Sequence, residues 1–274
     1  MSFVTHTSGE LVWLTSPLLE EAGALHGFST RRGGVSAPPF DTLNLGIGRG
    51  DDESAVGENY RRFCRAVGAD VQKLVLSKQV HGTAVRLCTE ADAGKGLFRP
   101  RDYTADGLMT RAASLPLAVF SADCGNILLF DPVRRAAGAV HAGWRGCAAG
   151  ILQQAAESFC AAFSSRPQDL LAAVGPCIGP CCFETDGDVP QAMRGALGEA
   201  AEPYLVRRGE KWHVDLAGLN RLWLLRAGLT PGHIDVCGLC TACHPDLFWS
   251  HRKMGEARGA QIALIALPGR EAAQ

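Results

Sequence analysis

An excess of charge of one sign, long apolar runs and nucleotide-type glycine loops are all missing from this chain of 274 residues. Lys and Arg number 27 against 28 Asp and Glu, a formal net charge of −1. Generic nucleic-acid binders and polybasic membrane binders need a surplus of positive field, so neither class is expected. The longest charge-free run, Leu170 to Phe183, is broken by Pro176 and Pro180, whereas a membrane-spanning helix needs about 20 apolar residues. No Lys or Arg precedes Arg31, so the basic start of a secretory signal is not expected either. Neither G-x-x-x-x-G-K-[ST] nor a G-x-G-x-x-G between strand and helix occurs, and Gly46-Ile47-Gly48 lacks the third glycine in register. P-loop and Rossmann readings therefore fall away. The G-x-S-x-G elbow of the common serine hydrolases is absent too.

What is present is ordinary globular composition, 47% apolar and 20% charged, which disfavours disorder. The length suggests one large domain or two small ones, and a body of this size buries roughly three quarters of its unfolded surface. No repeat, low-complexity tract or interdomain linker divides it. Cysteine is plentiful: eleven, an odd number, in a chain too large to need disulfide scaffolding. That usage points to a reducing, cytoplasmic setting with thiols as core residues, ligands or nucleophiles.

Periodicity predicts a helix over 58–67, with Tyr60, Phe63, Cys64 and Val67 on one face. Short apolar runs predict strands at 74–76, 83–87, 115–120, 127–130, 136–140, 170–174, 234–237 and 262–267. Helices are expected over 147–163, 189–197 and 215–225, the last opened by Asp215 as N-cap. Strands and helices mix without a regular βαβ alternation. The expected fold class is mixed α/β (α+β), a single domain with central mixed sheets flanked by helices.

Three residues stand where predicted strands meet loops beside glycine: His81 before Gly82, Cys124 before Gly125, and His141 before Ala142-Gly143. Two imidazoles and a thiolate suit zinc, and three protein ligands leave a fourth position for water or substrate. Their spacing matches no short zinc signature, and each residue taken singly reads more readily as structural. The segment from His141 to Gly146 bridges strand and helix, so free N–H groups near 146–149, with the Arg145 fork, would suit an anion; a surface Arg145 beside a core-packed Trp144 is the plainer alternative. Two thiol clusters, Cys177/Cys181/Cys182 and Cys237/Cys240/Cys243, complete the set. The second superficially suggests a structural zinc or an iron–sulfur cluster, but lacks the fourth Cys followed by Pro of the bacterial ferredoxin run. Thiols that are buried or line loops are the expected reading.

The ordered motifs resemble one family, the YfiH-type laccase-domain or polyphenol oxidase family. They are His26-Gly27-Phe28-Ser29-Thr30-Arg31, Gly33-Gly34-Val35-Ser36, Leu43-Asn44-Leu45-Gly46, Gln79-Val80-His81-Gly82, Ala105-Asp106-Gly107-Leu108-Met109-Thr110 and Ala122-Asp123-Cys124. His141-Ala142-Gly143-Trp144-Arg145-Gly146, Gly175 to Cys182, Cys240-Thr241-Ala242-Cys243 and Phe248-Trp249-Ser250-His251-Arg252 follow. The resemblance covers 26–267, which would leave 1–25 as a lead-in and 268–274 as a tail. It implies a fold related to the toxin deamidase catalytic domain, with His81, Cys124 and His141 as metal ligands and catalytic centre. Gly125-Asn126 and His244 depart from the commonest family form, which puts substrate detail in doubt more than the chemistry.

Members of the family are described as zinc-dependent purine nucleoside phosphorylases. The resemblance thus implies Zn(2+) (copper being the alternative ion) and small-molecule partners, a purine nucleoside (adenosine, inosine, guanosine or methylthioadenosine) and phosphate. Adenosine deamination is implied as a second activity. Arg145 is the expected anion ligand, with Arg61 and Arg62 weaker candidates; Asp123 adjoins the centre, but its direction is open. A monomer without nucleic-acid or membrane partners is expected. Three rivals are weighed against this. A copper-dependent polyphenol oxidase fits the donor trio, yet none of the eight histidines stands in an H-x-H pair. An amidase using a Cys124–His pair on peptide or peptidoglycan precursors needs no metal. A non-enzymatic zinc-stabilised protein would need a fourth ligand.

Overall fold

Strands covered on both faces read as unbroken apolar runs, and Ile127 to Phe130 and Ile262 to Leu267 are such runs because each lies inside a stack of layers. In a computed structural model that describes residues 3–269, the chain order is β1 (Val4–Ser8), β2 (Leu11–Thr15), α1 (Pro17–Glu21), β3 (Leu25–Ser29), α2 (Glu53–Val67), β4 (Val85–Leu87), β5 (Gly107–Thr110) and β6 (Leu117–Ser121). It continues with β7 (Gly125–Asp131), β8 (Ala136–Ala142), α3 (Trp144–Ala148), α4 (Ile151–Phe163), β9 (Leu171–Val174), β10 (Glu184–Thr185) and α5 (Asp188–Leu197). The last elements are β11 (Leu205–Arg208), β12 (Lys211–Val214), α6 (Leu216–Arg226), β13 (Ile234–Val236), α7 (His251–Met254) and β14 (Gln261–Ala266). This is a single mixed α/β domain.

Two sheets form its centre. One is antiparallel, in the order β1-β2-β3-β14-β6; the other is mixed, in the order β13-β9-β7-β8-β5-β4, with parallel pairs at both edges. A small antiparallel sheet, β10-β12-β11, lies apart from them. Alternation along single strands shows how the layers stack. In β7, Leu128 and Phe130 join Phe28, Val119 and Ile265 between the two sheets, while Ile127 and Leu129 face Ile151, Ala155 and Phe159 of α4. In β14, Ile262 and Leu264 turn the other way, onto Tyr60, Phe63 and Cys64 of α2. The order of layers is therefore helix, sheet, sheet, helices. Among the described residues no helix is long and apolar enough to cross a membrane.

Several expectations change. The early helix begins at Glu53, a turn before its apolar face starts, because the Asp52 side chain caps the Ser54 and Ala55 N–H groups. The single helix expected over 147–163 is two, α3 and α4, separated by Gly150 at φ 77. Leu74 to Leu76 is fully buried, but it makes only an isolated bridge from Val75 to Leu117 rather than a strand. Within the expected lead-in 1–25, β1 and β2 form a hairpin that pairs through β2 with β3 and extends the first sheet. Of the expected tail 268–274, residues from 270 onward lie outside the described residues.

Leu128 is fully buried between the sheets, so Leu128→Ala is expected to lower unfolding stability by about 2–5 kcal/mol. Urea unfolding followed by circular dichroism measures this, and a loss below 1 kcal/mol would contradict the stacking described.

Candidate metal centre

The antiparallel pairing of β7 with β8 places Asn126 opposite His141 and Gly125 opposite Ala142. Cys124, just before β7, and His141, near the end of β8, therefore arrive at the same edge of the mixed sheet. His81 comes from a bend between β4 and the isolated Lys78–Thr104 bridge. Two side chains hold that bend. Gln79 makes a reciprocal pair with the Phe120 backbone, donating to its carbonyl at 2.7 Å and accepting from its N–H at 2.8 Å. Asp106, wholly buried before β5, accepts from the backbone N–H groups of Val80, His81 and Gly82 at 3.1, 2.9 and 2.9 Å.

Asp106 also accepts from Nδ1 of His141 at 2.9 Å, and its carbonyl accepts the His141 backbone N–H at 2.7 Å. One carboxylate thus fixes the backbone carrying the first imidazole and the ring orientation of the second. The two rings meet edge to face with centroids 4.8 Å apart, and Nε2 of His81 lies 3.8 Å from the Cys124 sulfur. Backbone strain surrounds the trio: His81 has φ 60 and Asp123 has φ 88, a region that non-glycine residues rarely occupy. Gly143 has to be glycine, since a Cβ there would fall 2.8 Å from the Cys124 sulfur and 3.0 Å from the His81 ring.

The electrostatics follow from this packing. Burial pushes the Cys124 thiol up, but hydrogen bonds and charge from His141 and His81 outweigh it and bring it down from 9.0 to about 6. For His141 burial lowers the value, while Asp106 and then Cys124 raise it from 6.5 to about 9. Asp106, opposed by its own burial, is held below the usual carboxylate range by His141 and the Gly82 and Val80 N–H groups.

The donor set fits a metal. One nitrogen from each histidine and the Cys124 sulfur lie within 4.8 Å of one another. With Nδ1 of His141 donating to Asp106, its Nε2 is left to serve as a ligand, the carboxylate–histidine arrangement common behind zinc ligands. Three such donors would leave a fourth position open on a tetrahedral metal ion.

His81 and Cys124 line a cavity of about 380 Å³ whose wall also includes Trp144, Phe183, Arg145, Arg252 and Arg258, with His141 buried behind them. Arg145 is exposed and stacks on Trp144, 4.3 Å from the ring centroid. Arg258 is buried, bonded to His251 Nδ1 and the Gly259 carbonyl, and without an ion-pair partner among the described residues. A hollow of about 570 Å³ elsewhere, beside Asp215 and Asp235, gathers no histidine.

Not every expected site residue is there. Arg61 and Arg62 lie on the exposed side of α2, paired with Glu58, and do not line the cavity. The N–H groups expected to face an anion near 146–149 are partly used up: those of Cys147 and Ala149 bond Gly143 and Arg145 carbonyls within a five-residue helix. Asp123 turns both carboxylate oxygens to its neighbours, accepting from Thr241 Oγ1 at 2.6 Å and from the Arg252 N–H at 2.7 Å. Asp106, Arg252 and Arg258 lay outside the expected set. Asp106 and Arg252 sit in motifs already visible in the sequence, whereas nothing local marks Arg258.

The family described as multi-copper polyphenol oxidoreductase laccase matches residues 25–268. The chain is 36% identical over 256 residues to the purine nucleoside phosphorylase YlmD of Geobacillus stearothermophilus, covering 92% of this chain and 93% of that one. It is 35% identical over 226 residues to the purine nucleoside phosphorylase YfiH of Escherichia coli, covering 82% and 86%. The crystal structure of YlmD from Geobacillus stearothermophilus superposes with a TM-score of 0.90 at 33% identity, covering 97% of this chain and 100% of that one. A YfiH protein from Bacillus licheniformis gives 0.89 at 31% identity, covering 96% and 98%.

Two outcomes follow from the geometry. Asp106→Asn is expected to weaken zinc binding about 10- to 100-fold in a chelator-competition titration; unchanged affinity would deny Asp106 its place behind His141. In metal-free protein, alkylation of Cys124 by iodoacetamide is expected to rise with a midpoint near about 6. Because the thiolate is the reactive form, the rate plateaus above that pH and falls below it. A midpoint near 9 would contradict the thiolate–imidazolium pairing.

Proposed function

The chain belongs to the multi-copper polyphenol oxidoreductase laccase family, and from that premise we propose that it is a purine nucleoside phosphorylase working at a zinc centre held by His81, Cys124 and His141. The observation that carries the reading is the junction of two features in one cavity: a three-donor set and a buried arginine, Arg258, with no carboxylate partner among the described residues. A buried, unpaired guanidinium calls for an anion, and phosphate is the anion that phosphorolysis consumes. The relatives named purine nucleoside phosphorylase support the same reading.

In this mechanism Arg258, Arg252 and Arg145 bind phosphate by the fork geometry that suits its oxygens. Trp144 and Phe183 offer aromatic faces to the purine. A phosphate oxygen forms a bond to the anomeric carbon as the carbon–nitrogen bond breaks, and the electron pair leaves with the base. The departing purine takes a proton. Asp123 is committed to Thr241 and Arg252, and His251 accepts from Arg258 on Nδ1, so neither has a proton to give and the base takes its proton from solvent water in the cavity. Zinc on the trio supplies Lewis acidity at an open position. Inosine, guanosine, adenosine and methylthioadenosine are the proposed substrates, and adenosine is also expected to exchange its amino group for water, releasing ammonia.

A type 1 copper would accept the same donors, but among the described residues no further histidines gather beside the trio to make a trinuclear cluster. The nucleophilic reading rests on the depressed Cys124 thiol and needs the metal absent, so metal content separates it.

Inosine incubated with zinc-loaded protein should yield hypoxanthine only when phosphate is present, and Cys124→Ala should abolish it. Arg258→Ala should raise the KM for phosphate about tenfold or more with a smaller effect on the KM for inosine, consistent with loss of a charged hydrogen bond of about 1.5–3 kcal/mol. Chromatography reads all three. No hypoxanthine from a folded, zinc-loaded sample would overturn the proposal.

A further inference from the structure

The two thiol clusters of the sequence contribute to a single constellation. Cys181 and Cys182 leave the Gly179-Pro180 turn, and Cys240 and Cys243 span a tight turn in which the Cys243 and His244 N–H groups both bond the Cys240 carbonyl. Their four sulfurs lie within 4.8 Å of one another. Cys243 is 3.3 Å from Cys181 and 3.4 Å from Cys182, sulfur to sulfur. Cys177 and Cys237 take no part; Cys177 instead bridges its backbone to Cys240 and accepts the Thr241 N–H at 3.1 Å, clamping one loop on the other.

We propose that Cys181, Cys182, Cys240 and Cys243 form a second zinc site, closed and structural, distinct from the His81/Cys124/His141 centre. A tetrahedral ion with zinc–sulfur bonds of about 2.3 Å sets its sulfurs about 3.8 Å apart, within the span from 3.3 to 4.8 Å found here. The Gly179 N–H points at the Cys240 sulfur at 3.2 Å, a bond that a thiolate ligand accepts well. Cys181 and Cys243 are exposed, so an ion enters from solvent. On binding, each thiol gives its proton to solvent and its sulfur lone pair to the ion. All four cysteines are free at these separations, whereas a disulfide would need sulfurs about 2.05 Å apart and would leave a pair over.

The position gives the site its work. Between Cys177 and Cys182 the first loop supplies Ile178, and just beyond it Phe183, to the wall of the cavity; after Cys243 the chain reaches Arg252. Arg252 bonds back to the Cys182 carbonyl at 3.1 Å. An ion on the four thiolates would staple these two stretches, 62 residues apart at Cys181 and Cys243, against Asp123.

The decisive experiment uses the full chain loaded with zinc, freed of excess ion, and assayed for metal per chain by mass spectrometry. Wild type should hold two zinc ions, Cys124→Ala one, and Cys240→Ser/Cys243→Ser one. Cobalt added to Cys124→Ala should give the intense near-ultraviolet thiolate bands of a four-sulfur tetrahedral site. Should the double variant fail to fold, thiol counting on native wild type replaces it, with four fewer reactive thiols in the zinc-loaded than in the zinc-free state beyond the loss due to Cys124. A Cys124→Ala chain that holds no zinc overturns the site. So does intact mass showing a disulfide in the freshly purified chain, or iron in place of zinc. None of these readouts depends on nucleoside turnover.

Discussion

The hydrogen bonds to Asp106 are the constraint on which the centre depends. A carboxylate wholly removed from solvent is costly unless every lone pair is used, and here five donors converge on the residue, four on the carboxylate and one on its carbonyl. Their convergence turns an energetic liability into a jig. The 80–82 backbone is bent into a left-handed conformation at His81 that it would not keep unaided, and the His141 ring is locked with one nitrogen inward. The negative charge behind His141 then makes that ring a better donor toward whatever the trio binds.

Around this jig the sheets supply stiffness. β7 and β8 are buried along their whole lengths, so His141 within β8 is set by strand register, and Cys124 is anchored by the first residue of β7 beside it. A slip of one residue would turn His141 to the other face. Gly143 completes the arrangement from the opposite direction, since the trio can close to its observed separations only where no side chain intrudes. The cavity wall is assembled differently. Apart from Trp144, Arg145 and Leu216, the side facing the trio is made by the 175–184 and 240–258 stretches, which carry little regular structure and are held by Asp123, Thr241 and backbone bridges.

Much of this was legible in the sequence, and the failures have physical causes. Strands covered on both faces announced themselves as apolar runs, and the three residues beside glycines that the sequence offered as candidate ligands lie together in space. What periodicity could not show was the break at Gly150, because Cys147 and Ile151 both face the same core on either side of it. The first hairpin escaped notice because β1 is a largely exposed edge strand with little apolar signal. Arg61 and Arg62 were plausible only as cations; their distance from the cavity depends on α2 lying across the far side of the first sheet, which no local pattern encodes. Asp106 was visible as a motif letter, but its role exists only once 80–82, β5 and β8 are brought together in space.

The three candidate ligands of the centre come from segments that strand pairing in the mixed sheet and the Asp106 hydrogen bonds bring together. That separates metal capture from chain folding. In a zinc finger the ion's affinity is diminished by the work of ordering the chain around it; at the proposed centre that work would fall to the sheet, and nearly all the binding free energy of an ion would be left to express itself as retention. Loss of such an ion would leave a framework ready to take it back, so the proposed centre would behave as a socket rather than as a rivet.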